Sequence, residues 1–184
     1  SRLVPSQNRT ALLKRVFSFD DQDLETIQFF GMFQPSQNIN SLEEQLNRMN
    51  ALNFEKEIEQ ELIQLKKEYP SHGSIDFELF ILNANDTFVI SKLNGVSAFT
   101  DWNGRMCFVV LPEERVRKTL KSVITHEYHH HWRIQTLGTK EFEETLLDRI
   151  ILEGLAEFFV SYRLGNTFIG PYKDVLTESA ALSL

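Results

Sequence analysis

Cysteine is nearly absent: Cys107 is the only one in 184 residues. That excludes an intrachain disulfide and any metal cage built of thiolates. Cys107 stands in the run Met106-Cys107-Phe108-Val109-Val110-Leu111, the setting of a buried, inert thiol. Long apolar runs are missing too, and none reaches the about 18 residues a membrane-spanning helix needs. Basic residues are in deficit, 19 Lys and Arg against 26 Asp and Glu, for a net charge of −7. Phosphate binding draws mainly on Lys and Arg, so no nucleic-acid partner is expected. With no disulfide, and no signal-peptide core in Ser1-Arg2-Leu3-Val4-Pro5, the expected location is the cytoplasm. The first residue is not Met and residues 177–184 show no obvious closing element, which leads us to expect a trimmed fragment. The sequence leaves the oligomeric state open.

What is present is ordinary for a soluble globular chain: 42% hydrophobic and 24% charged residues, enough for one self-supporting core. Residues 20–33 read as a short helix, with Asp20, Asp21, Asp23 and Glu25 at its positive end and Leu24 facing inward. Ser41-Leu42-Glu43-Glu44 has the capping-box pattern and opens a helical stretch to about Tyr69, stopped by Pro70. Ile58, Leu62 and Leu65 mark its apolar face, and its many Glu and Lys residues suit a solvated one.

From residue 75 to 111 the pattern turns to β. Runs at 75–82, 86–91, 96–100 and 105–111 predict three or four strands, mostly antiparallel, with Asn103-Gly104 as a hairpin turn. Pro112-Glu113-Glu114 then starts a helix that Gly138 ends, and a last helix runs from about residue 141 to 164. Its apolar positions Ile150 and Phe158 predict a buried face. The order of elements predicts an α+β fold, with a helical region over 1–73 and a second unit over 74–184, either separate or continuous as one domain.

The chemistry-bearing residues are His126-Glu127-Tyr128-His129-His130. Histidines four apart on a helix share one face, so both rings can reach one ion, and neutral imidazole is a good zinc ligand. The Glu beside the first His can take a proton from a water activated by the metal. Two histidines need a third protein ligand. The next helix offers Leu152-Glu153-Gly154-Leu155-Ala156-Glu157, two carboxylates four apart on a face that its neighbours predict to be buried.

His126-Glu127-x-x-His130 followed by Glu153-Gly154-x-x-Glu157 resembles the gluzincin metallopeptidases, and more closely the bacterial predicted zinc proteases of the YjaZ type. The likeness covers roughly residues 96–165 and implies a zincin-like core over 74–184. It implies Zn²⁺ held by His126, His130 and Glu153, with Glu127 as the base. Glu157 is then the partner of the first histidine, and a ligating His usually does give its other N–H to a carboxylate. The opposite assignment, Glu157 on the metal, stays open. Gly154 suits close helix packing. His129 is a weaker substitute for His130, and His131 falls at the surface or behind the ligands. Related enzymes use a Tyr or His beyond the Glu helix to stabilise the oxyanion. Tyr172 is the candidate here, with Tyr162 and Arg163 behind it. In that class an edge strand pairs with an extended substrate, and residues 95–100 are the matching stretch.

The activity so implied is hydrolysis of peptide bonds in a peptide or protein substrate. A zinc-binding module acting as sensor or scaffold is the alternative, and a fortuitous His cluster on a polar helix is the second.

Overall fold

The computed structural model describes residues 39–101, 103–138 and 145–171, preceded by Ala11, Lys14, Arg15, Asp20, Asp21, Leu24 and Glu25. The elements are α1 (Ile39–Leu52), α2 (Phe54–Glu68), β1 (Phe77–Ile81), α3 (Thr87–Lys92), β2 (Val96–Thr100), β3 (Met106–Val110), α4 (Arg117–Leu137) and α5 (Leu146–Leu164). Single 3-10 turns follow β3 and α5, at Glu114–Val116 and Asn166–Phe168. The fold is α+β. No helix among the described residues is long and apolar enough to cross a membrane.

The stretch predicted as one helix over 41–69 is two. Asn53 adopts φ 55°, a left-handed conformation that Asn tolerates through its short polar side chain, and the chain restarts at Phe54. Arg117, the first residue of α4, fixes this break. Its guanidinium donates to the Leu52 carbonyl at 3.0 Å, pairs with Glu57 and lies over the Phe54 ring. Ser41 does not cap α1, which begins two residues earlier; its hydroxyl accepts from Gln45 within the helix. Along α2, Phe54, Ile58, Leu62 and Leu65 are buried at helical spacing and join one core with the sheet and α4. Leu24 is buried in that core too, while most of the helix predicted over 20–33 lies outside the described residues.

The sheet has the order β1-β3-β2 and is mixed, one pair parallel and one antiparallel, rather than mostly antiparallel. The reason is residues 86–91, read as a strand from their β-branched composition but helical in the fold. Asp86 accepts a hydrogen bond from the Val89 N–H at 3.0 Å and so nucleates α3. That helix carries the chain past β3's position, so β1 ends parallel to the central strand. All five residues of β3 are buried, as an uninterrupted apolar run predicts. Cys107 is among them. The hairpin between β2 and β3 forms where Asn103-Gly104 predicts it. Asp101 and Arg105 close it, Gly104 at φ 85° takes the left-handed position, and Asp101 Oδ1 accepts from the N–H groups of Asn103 and Arg105.

α4 lies at the centre, packed against α2, α5, β2 and β3. Leu120, Ile124 and Tyr128 enter the core, and Gly138 ends the helix at φ 64°. Its far half is tied down by polar contacts: Trp132 Nε1 donates to the Pro70 carbonyl, and Tyr128 donates to the Tyr69 carbonyl. His131 is not a surface group. It is 1% exposed, its Nδ1 donates to the Gly104 carbonyl at 2.6 Å, and its Nε2 meets the Ser71 hydroxyl at 3.2 Å.

α5 starts at Leu146 behind a capping box of Thr145 and Asp148; residues 141–144 lie outside the described residues. Its orientation differs from the expected one. Ile150 and Phe158 are 60% and 66% exposed, part of an outward arc that also holds Leu147, Ile151, Leu155 and Tyr162. The buried side holds Ala156 and Val160, with Glu157 and Arg163 beside them. Ile150 and Phe158 thus do not share the side of Glu157, and the inward side combines apolar Ala156 and Val160 with charged groups that find partners inside. Arg163 pairs with Glu61 and with Glu68 at 2.8 Å, and reaches the Thr125 hydroxyl at 3.3 Å. It thereby pins α5 to α2 and α4.

Two substitutions test this scaffold. A Cβ at Gly104 would come within 2.6 Å of Gln135 and 3.0 Å of His131, on a backbone that disfavours one. Gly104→Ala is expected to lower unfolding free energy by about 1–3 kcal/mol in urea denaturation. Arg163→Met leaves Glu61 and Glu68 without their shared cation; both are partly solvated, so the expected loss is about 2 kcal/mol, below that of a fully buried pair.

Candidate metal centre

His126 and His130 project from one side of α4, their rings edge to face with centroids 4.7 Å apart. Both are buried, and their Nε2 atoms lie 2.9 Å from each other. From α5, Glu153 brings Oε2 to 3.1 Å from His126 Nε2 and 3.6 Å from His130 Nε2. Corners of a tetrahedron with zinc bonds of 2.0–2.1 Å are about 3.3 Å apart. The three observed separations scatter around that value, and among the described residues this triad is a group that could hold a metal ion.

Glu157 sits one turn further along α5, behind the first histidine. Its Oε1 accepts from His126 Nδ1–H at 2.8 Å and its Oε2 accepts from the Gly170 N–H at 2.9 Å. With Nδ1–H committed to Glu157, Nε2 is the nitrogen that His126 turns to the point shared with His130 and Glu153, where a metal would take the place of the Nε2 proton. This geometry separates the two glutamates. Glu153 faces the Nε2 side and Glu157 the Nδ1 side, so the carboxylate able to share an ion with both rings is Glu153.

The electrostatics favour positive charge at this point. Burial alone pushes His126 toward the neutral ring, but its hydrogen bonds to the Glu153 and Glu157 carboxylates, with the Glu127 charge nearby, outweigh it and hold its pKa up at about 10. Hydrogen bonds from His126 and His130 hold Glu153 well below the usual carboxylate range despite its partial burial. A group of two imidazoles and one ionised carboxylate, biased this strongly toward a cation, fits zinc by donor chemistry as well as spacing.

Glu127 is 5% exposed and lines the same cleft. The Thr100 hydroxyl donates to its Oε2 at 2.7 Å. The cleft, about 480 Å³, runs between β2 and α5 over α4, and residues 167–171 bound it. β2 is an edge strand. Its hydrogen-bonded alternation with β3 directs the Ala98 backbone N–H and C=O outward, toward the cleft.

The other sequence candidates fall elsewhere. His129 lies behind the pair and packs on Phe159 with ring centroids 5.5 Å apart. Burial, aided by the neighbouring His130 and Arg133 charges, pushes its pKa down to about 4. Gly154 is exposed with open space where a Cβ would go, so close packing does not explain it. Tyr162 is 71% exposed and Tyr172 lies outside the described residues. Sequence reading placed Thr100 only in the candidate substrate strand and gave Gly170 no role, because their contacts to Glu127 and Glu157 span 27 and 13 residues with no local motif to announce them.

The geometry predicts unequal roles for the two α5 carboxylates. Glu153→Gln is expected to abolish stoichiometric zinc binding, whereas Glu157→Gln should retain it with affinity about 10–100-fold weaker, read by competition with a chromogenic chelator. The reverse ranking would exchange the assignments.

A family described as Predicted Zn-dependent protease (DUF2268) matches residues 54–183. A Bacillus subtilis (strain 168) protein named Uncharacterized protein YjaZ is 42% identical over 60 residues. That alignment spans 33% of this chain and 23% of that protein, so less than a quarter of the relative's length is covered. No solved structure gives a significant match. Because the matched stretch takes in most of the chain, including both rings and all three carboxylates of the cleft, this protein belongs to the family of predicted Zn-dependent proteases.

Proposed function

We propose that this protein is a zinc peptidase of the gluzincin type, with His126, His130 and Glu153 as the metal ligands. The observation that carries the reading is the meeting of His126 Nε2, His130 Nε2 and Glu153 Oε2 at one point, beside a fourth polar group, Glu127, that is not needed to complete the ligand set. Zinc bound there would supply a Lewis acid that polarises a scissile carbonyl and lowers the pKa of a water to about 7.

The chain's own residues account for the rest. Glu127 takes a proton from the attacking water as its oxygen adds to the carbonyl carbon. The C–N bond then breaks, and Glu127 returns the proton to the departing nitrogen; with the second water proton passed from the new carboxyl group to the amine, the products are a carboxylate and an ammonium group. Glu157 keeps the Nδ1 proton on His126, and with it the ring's orientation, through both halves of the cycle. A substrate strand fits along β2, where the Ala98 backbone offers one donor and one acceptor to an extended peptide. That mode of binding reads backbone, which matches a peptide or protein substrate. A purely structural zinc site would be closed by a fourth protein ligand; the open cleft and the added carboxylate favour catalysis over a sensor or scaffold role.

The test is Glu127→Gln in the full chain. It is expected to keep one zinc per chain by elemental analysis and to lose cleavage of fluorescein-labelled casein by about 10²–10⁴-fold. Casein cleavage undiminished in that variant, with zinc bound, would refute the assigned base.

A further inference from the structure

Glu127 reaches the cleft on a long side chain with three rotatable bonds, and general-base catalysis needs one of its oxygens held on the attacking water. Nothing on α4 itself performs that service. The contact comes from the neighbouring sheet: the Thr100 hydroxyl, last residue of edge strand β2, lies 2.7 Å from Glu127 Oε2 and 3.1 Å from the Glu127 backbone carbonyl. A hydroxyl has one proton to give, and the charged, nearer oxygen is the stronger acceptor. We infer that Thr100 is the positioning residue of this site, holding Oε2 of Glu127 so that Oε1 is turned to the substrate. The inference rests on the peptidase reading above and adds to it a residue outside both helical motifs.

Two features make the contact more than a packing accident. Thr100 lines the cleft together with Glu127, so its hydroxyl acts at the reacting surface rather than behind it. It also belongs to the strand whose Ala98 backbone faces the substrate, two residues away on the same side of the pleat. The strand that receives the peptide is therefore the strand that orients the base, and the two are set at a fixed distance by one β-pleat repeat. Val at this position keeps the shape and strand preference of Thr but has no proton to donate. Ser keeps the proton and loses only a methyl group.

The experiment compares wild type, Thr100→Val, Thr100→Ser and Glu127→Gln as zinc-loaded full chains. Zinc content and melting temperature should agree between wild type and both Thr100 variants. On quenched-fluorescent casein, Thr100→Val is expected to lose about ten-fold in kcat with KM within two-fold, and Thr100→Ser to recover most of that loss. An activity-free readout runs beside it: the infrared carboxylate band that Glu127→Gln removes should shift in Thr100→Val and return in Thr100→Ser. An unmoved band, or a Thr100→Val enzyme with wild-type kcat, overturns the role assigned to Thr100. Absence of turnover in wild type sinks the peptidase reading instead, and the band then decides alone whether Thr100 holds Glu127.

Discussion

Helix α4 buries His126, Glu127, His130 and His131 along with Thr125 and Ser122, and every one of these polar groups must be answered in a region of low dielectric. That demand organises the molecule. His126 is answered by two carboxylates from α5, His131 by the hairpin carbonyl and a loop hydroxyl, and Glu127 by the end of β2. A helix whose buried residues were all leucines could pack against its neighbours in many registers. This one fits where its hydrogen bonds close. Three α4 atoms stand outside the pattern: His129 Nδ1, His130 Nδ1 and Arg133 Nε are buried without a hydrogen-bond partner among the described residues, so the His130 ring is held by packing and by its Nε2 contacts alone.

The same logic explains how three carboxylates come to share a small volume. Glu127, Glu153 and Glu157 would repel one another in an apolar pocket, and the charge on His126 offsets part of that repulsion. Further along α5, Arg163 does the corresponding work for Glu61 and Glu68 and sets the helix at the depth its carboxylates require. The cost of facing charge inward is that the outward arc of α5 is left apolar, the inverse of an ordinary surface helix.

Much of this was legible in the residues. The His-Glu-x-x-His spacing identified the ring pair, the second glutamate motif its partner helix, Asn103-Gly104 the hairpin, and Gly138 the end of α4. The expected burial of both α5 carboxylates holds only in part, with Glu157 partly buried and Glu153 half exposed, and its premise was wrong, since Ile150 and Phe158 turned out to face away from the core. The helix at 87–92 was hidden because its run Thr87-Phe88-Val89-Ile90, β-branched and aromatic, satisfies either period, and only the Asp86 cap decides between them. The break at Asn53 was hidden for a similar reason: an apolar stripe runs through it without interruption, and its clamp, Arg117, lies more than sixty residues further on.

By itself the sequence determined which side chains could bind a metal and which could move a proton, because that depends on residue type and on spacing within one helix. Tertiary structure alone decided which glutamate meets Nε2 and which meets Nδ1, where Arg163 spends its charge, and that Thr100 touches the base. Those are contacts between segments far apart in the chain, set by the packing angle of α5 on α4 and by the register of β2. No local pattern of residues encodes either quantity.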